Sequence, residues 1–184
     1  KFTLESCYDK IVNNHAYDFI LGSIHTPDGF DKDIKEIAYD KLDVYKFMND
    51  YFQQLTEIAK WDGCDALAHI TCPMRRIQGK YHIDFDYSKI SASTDELLKT
   101  MIRYNKALEI NTSGLRQNIG RTMPDANIIK RYHELGGRLI TFGSDAHDAN
   151  DCGKGISEAM NIAKDCGYEK FVFYENREFL ELNI

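Results

Sequence analysis

Apolar positions along this chain fall into two alternating patterns: short unbroken runs, and longer segments where they recur every three or four residues. The clearest helical segment covers residues 42–61. There Tyr45, Met48, Phe52, Leu55 and Ala59 fall at helical steps, with Tyr51 and Ile58 beside them, and Gly63 stops the pattern. A second helix is expected behind a Thr94 or Asp95 cap, with Leu97, Leu98, Met101 and Ile102 facing inward. A third starts near Pro124, carries Ile128, Ile129, Tyr132 and Leu135, and closes at Gly136-Gly137. A fourth opens at Gly155, carries Ile156, Ala159, Met160 and Ala163, and stops at Gly167. A short helix over residues 4–14 precedes them all, with Leu4, Tyr8, Ile11 and Val12 on one side.

The unbroken runs read as strands at residues 17–24, 64–68, 107–111, 138–142 and 170–174. Residues 26–40, rich in charge and containing Pro27 and Gly29, suit a surface loop, and 71–93 has no convincing period. Strands alternating with helices predict an α/β fold built on a parallel sheet or barrel. The length fits one domain with a proper core, residues 1–184.

In such folds catalytic and binding groups collect at the carboxyl ends of the strands. Four successive runs here end in His25, in His69, in Glu109 with Asn111, and in Asp145 with His147. Any one of these histidines, taken singly, reads as a packed or surface side chain, and an isolated D-x-H reads as a turn. Their convergence on one side of a sheet is hard to explain by packing. In extended geometry Asp145 and His147 point the same way, offering a hard oxygen and a borderline nitrogen to zinc, iron or manganese alike. Glu109 and Asn111 alternate onto the barrel interior, where they either orient ligands or fill a layer of the core. His82, in a polar loop, and His133, on a helix, carry no such signal.

Composition changes the picture little. The net charge of −6 argues against a nucleic-acid face, no apolar run reaches membrane-spanning length, and no signal-peptide pattern opens the chain. Five cysteines without a CxxC pair read as reduced, mostly buried thiols of a cytoplasmic protein. The sequon at Asn111-Thr112-Ser113 is then a chance match.

Gly22-Ser23-Ile24-His25, Ala68-His69-Ile70, the segment from Leu108 to Arg116, and Gly143-Ser144-Asp145-Ala146-His147 together resemble the later motifs of the PHP (polymerase and histidinol phosphatase) superfamily. The resemblance is closest to its monofunctional histidinol phosphatases. It implies a distorted TIM-like barrel of seven βα units with a cluster of two or three divalent ions at the strand ends. On that reading His25, His69, Asp145 and His147 are metal ligands, with Asp145, His147 and His25 serving catalysis. Arg75 and Arg116 hold the substrate phosphate, a task suited to the planar guanidinium, with Arg76 able to replace Arg75. The implied reaction is hydrolysis of L-histidinol phosphate in histidine biosynthesis. Rival readings are a phosphotyrosine phosphatase or polymerase-linked exonuclease of the same superfamily, and a non-catalytic metal-binding domain.

The chain departs from the family pattern in two ways. The family's opening H-x-H, two further histidines and a bridging glutamate normally precede the matching segment, yet residues 1–24 contain only His15. The expectation is therefore a carboxyl-terminal part of the barrel lacking its first strands, either paired with another segment or oligomeric. Second, Thr71 stands where the family often has Asp.

Overall fold

The computed structural model describes residues 17–29 and 33–184. The expected helix over 4–14, with His15 and Cys7, lies outside these residues. Four strands form a parallel sheet in chain order: β1 Leu21–Gly22, β2 Ala66–Leu67, β3 Ala107–Asn111 and β4 Ile140–Gly143. The register pairs Leu21 with Ala66, Ala66 with Ala107 and Leu108 with Ile140. Among the described residues the sheet does not close on itself.

Among the described residues five α-helices accompany it: α1 Val44–Ala59, α2 Met74–Ile77, α3 Ser91–Arg103, α4 Ala126–Glu134 and α5 Ile156–Asp165. Helix α1 forms where the three- and four-residue spacing predicts it. Asp43 caps it by accepting from Tyr45 N and Lys46 N. Asp125 caps α4 in the same way, through Asn127 N and Ile128 N. Gly155 introduces α5 with φ +79°, a left-handed conformation that glycine adopts without a Cβ penalty.

Alternation divides the sheet into two faces. Leu67, Leu108, Ile110 and Ile140 belong to the main core, together with Phe47, Met48, Tyr51, Phe52 and Leu55 of α1 and Leu97, Leu98 and Met101 of α3. Ala66 and Ala107 point the other way, into a small cluster with Val172, Phe19, Leu139 and Tyr174. Farther along β3, Glu109 and Asn111 share that second face, so an apolar floor lies beneath a polar layer.

Several expectations need correction. The run 17–24 contributes only two paired residues, and Leu21 is 43% exposed, so among the described residues β1 is a short strand at the edge of the sheet. The segment 33–40 lies at the surface, with Asp33, Lys35, Glu36, Ala38 and Asp40 exposed, but it is anchored: Ile34, Ile37 and Tyr39 are buried and the Tyr39 ring packs against Phe47 and Tyr81. Helix α3 begins at Ser91, continuing from a 3-10 turn at Tyr87–Ile90. Thr94 is therefore inside it, donating its hydroxyl to Ile90 O, and Asp95 pairs with Arg131 of α4 instead of capping. The aperiodic stretch after His69 includes α2. Finally, β5 Lys170–Glu175 pairs antiparallel with an unexpected strand, β6 Glu178–Asn183, outside the parallel sheet. No described helix is long and apolar enough to cross a membrane.

Candidate active site

The carboxyl ends of the four parallel strands bring the expected residues into one region. His25 follows β1 and His69 follows β2, and their imidazole rings stack with centroids 5.3 Å apart. His25 lies at the mouth of the site and His69 is buried. Beyond β4 the backbone does not stay extended: Asp145 has φ +48°. The same-side geometry expected of a strand therefore does not apply to the D-x-H motif. His147 still approaches, its Nε2 3.6 Å from Asp145 Oδ1, with a side chain 92% exposed.

His69 also has a left-handed backbone, φ +32°, unusual for a non-glycine residue and found most often where function fixes geometry. A buried carboxylate holds it there. His69 N donates to Glu109 Oε2 at 2.8 Å, and Asn111 Nδ2 donates to the same oxygen at 3.1 Å. Ser113 N and Oγ both donate to Asn111 Oδ1, and Ser113 Oγ also lies 3.2 Å from Asp145 Oδ2. A serine hydroxyl has one proton, so it serves one of these acceptors at a time. The chain of contacts runs from the end of β2, through β3, to the loop after β4. Glu109 and Asn111 therefore orient neighbours and do not merely fill the interior. Their strand position was legible, but Glu109's partner, forty residues back beyond the end of another strand, was not.

Burial first, and then the positive charge of Arg75, lowers the pKa of His25. His69 is lowered further, to about 4, by burial and then by His25, with Asp145 opposing. Both shifts favour the neutral ring, the form in which imidazole nitrogens coordinate metals. His69 Nδ1 is buried and has no hydrogen-bond partner among the described residues. Cys72, which sequence reasoning passed over, completes a set with these histidines: its sulfur and their nitrogens all lie within 4.8 Å of one another. The available signal was the H-x-x-C spacing from His69. Burial raises the Cys72 thiol to about 11. This donor set fits a divalent metal on its own terms.

Two clefts adjoin the histidines. The larger, about 690 Å³, is lined by His25, His147, Lys35, Arg75, Arg76 and Lys80, with Asp33 opposed. The smaller, about 210 Å³, lies among Arg75, Arg116, Ser113, Asp145 and His147. Arg116 donates to Ser144 O at 2.8 Å and approaches Asp151 at 3.4 Å, which fixes it beside the Asp145 loop. Arg75 Nε, Arg76 Nε and Arg116 Nη1 are buried with no hydrogen-bond partner among the described residues. These spare donors suit an anion, and the cationic cleft stands out against a net charge of −6.

Comparison with known proteins adds context. A model of the PHP domain matches residues 3–113. A protein of Thermotoga maritima named "Probable histidinol-phosphatase" is 33% identical over 151 residues, covering 81% of this chain and 62% of its own length. One of the same name from Clostridium acetobutylicum is 34% identical over 176 residues, covering 92% and 66% respectively. The chain thus spans a little under two thirds of these relatives. Among solved structures, histidinol phosphate phosphatase of Lactococcus lactis, complexed with zinc, L-histidinol and phosphate, superposes with a TM-score of 0.74 at 18% identity. That alignment covers 97% of this chain and 68% of the other, which establishes the shared fold.

Proposed function

The chain belongs to the PHP domain family, and from that premise we propose that it forms part of a metal-dependent phosphatase hydrolysing L-histidinol phosphate to histidinol and phosphate. The observation that carries this reading is the stacked His25–His69 pair beside clefts lined by arginines whose buried nitrogens have no partner among the described residues. Zinc, L-histidinol and phosphate bound by the Lactococcus protein of the same fold support the choice of substrate.

On this reading His25, His69, Asp145 and His147 hold the divalent ions. When bound, such ions supply Lewis acidity toward phosphate oxygens and lower the pKa of water. Arg75 and Arg116 grip the phosphate and neutralise the charge on its oxygens, with Arg76 beside them. Glu109 keeps His69 in its left-handed conformation, so the imidazole is in place before substrate arrives. Lys35 and Lys80 raise the local concentration of anionic substrate around the larger cleft.

Release of phosphate from histidinol phosphate, measured beside phosphotyrosine and p-nitrophenyl phosphate, tests the reading. Histidinol phosphate is expected to have the highest kcat/KM. Asp145→Ala should reduce it by about 100-fold or more, since even residues that merely support metal ligands are worth 10- to 100-fold. Arg75→Ala should act mainly through KM. Turnover untouched by Asp145→Ala would sink the assignment.

A further inference from the structure

We propose that Cys72 is itself a metal ligand, so that His25, His69 and Cys72 form a two-nitrogen, one-sulfur subsite favouring zinc over manganese. The inference rests on the metal-centre reading above and goes beyond it, in donor identity and in choice of metal.

The local chain geometry sets up the pair His69 and Cys72. Cys72 N donates to His69 O at 2.7 Å, closing a tight turn that leads into α2 and brings side chains three residues apart together. The turn starts from the left-handed His69, whose N–H is fixed by Glu109. His25 arrives from the neighbouring strand end and stacks on the His69 ring.

The resulting donor atoms lie within 4.8 Å of one another. Bond lengths of about 2.0–2.1 Å to nitrogen and about 2.3 Å to sulfur place tetrahedral donors roughly 3.4–3.7 Å apart. At the widest separation a contraction of about 1.1–1.4 Å, within reach of side-chain rotation, closes the site. A second observation points the same way: His69 is more than nine-tenths buried and its Nδ1 has no partner among the described residues.

Binding is balanced simply. The Cys72 thiol loses its proton to solvent as the sulfur–metal bond forms, with no redox change. A soft thiolate discriminates against manganese and magnesium, which prefer all-oxygen surroundings, and toward zinc. The bland alternative is a cysteine serving as a small buried apolar side chain.

The test uses cobalt(II) alone, then zinc and manganese. In the unaltered chain, cobalt should give visible ligand-field bands and a near-ultraviolet thiolate charge-transfer band. Cys72→Ser should remove the second while keeping the first, and weaken zinc binding on the order of 10- to 100-fold with little effect on manganese. Cys64→Ser serves as the control and should change neither band. Should the serine variant fold poorly, X-ray absorption of the zinc-loaded unaltered chain gives the same answer, with one sulfur expected at about 2.3 Å. Ligand-field bands without charge transfer, or a shell of nitrogen and oxygen only, overturn the Cys72 assignment and leave the metal centre standing. No cobalt binding at all overturns both.

Discussion

At the scale of single residues, Glu109 is the side chain on which the site's geometry depends. It is 4% exposed, and burial raises its pKa, opposed by the hydrogen bonds from Asn111 and His69 N. Two substitutions separate its roles. Glu109→Ala strands the buried His69 N–H and should cost about 1–3 kcal/mol, whereas Glu109→Gln keeps an acceptor oxygen and should cost less. Gly143, paired with Asn111 across the sheet, tests the same contact from the other side. A Cβ built there would overlap Glu109 Oε1, and the carboxylate, held by two hydrogen bonds, has little room to retreat. Gly143→Ala should therefore destabilise by about 1–3 kcal/mol, as overpacked cores do. Denaturant midpoints at constant m would measure all three; a neutral Gly143→Ala would mean that Glu109 is not held as described.

Among elements, the β5–β6 hairpin has the most to explain, since β6 is exposed at every position. Its turn secures it. Arg177 Nε lies 2.7 and 2.9 Å from the two oxygens of Asp65, which also accepts from Ile20 N, and Arg177 N donates to Asp18 O. Asp65 is 8% exposed, so Arg177→Ala leaves a carboxylate largely buried and unpaired. A cost of about 3 kcal/mol is expected, at the lower end for such breaks because Arg177 keeps partial solvent contact. Hydrogen exchange should show early loss of protection across β5 and β1; protection unchanged in the variant would remove the clamp from the account. This hairpin also shows where sequence reading stops. Asn176 and Arg177 both have positive φ in a two-residue loop, the geometry usually announced by Asn-Gly. Arginine in the second position hides that signal, and an exposed strand has no buried alternation to reveal it. The run 17–24 misled in the opposite sense: apolar content announces a strand, but the length that pairs depends on the neighbour. Helices α1, α4 and α5 were legible because their apolar spacing is local. The histidines were legible because each closes an apolar run. Cys72 was not, since its meaning depends on a turn and on a ring from another strand end.

Considered whole, the molecule gathers the unpartnered His69 Nδ1 and the arginine nitrogens of its described residues at the carboxyl ends of the parallel strands. The floor of that region is the small apolar cluster around Ala66, Ala107 and Val172, and above it stand Glu109, His69 and the arginines. Leaving donors such as His69 Nδ1 buried and unpaired costs stability, and an ion that occupies the site recovers it. Binding to the folded chain then stabilises by mass action, about 2.7 kcal/mol when free ion stands at 100 times Kd. For a chain of this length each kcal/mol moves Tm by about 2–4 °C, so zinc should raise the midpoint by roughly 5–10 °C. A chelator should reverse the shift. His69→Ala lowers the starting midpoint by its own packing loss, so the quantity to compare is the zinc-induced shift within each variant, expected to vanish for His69→Ala and to persist for the distant Arg177→Ala. A shift equal in the parent and in His69→Ala would place the stabilising ion away from the strand ends and remove the metal centre from this site.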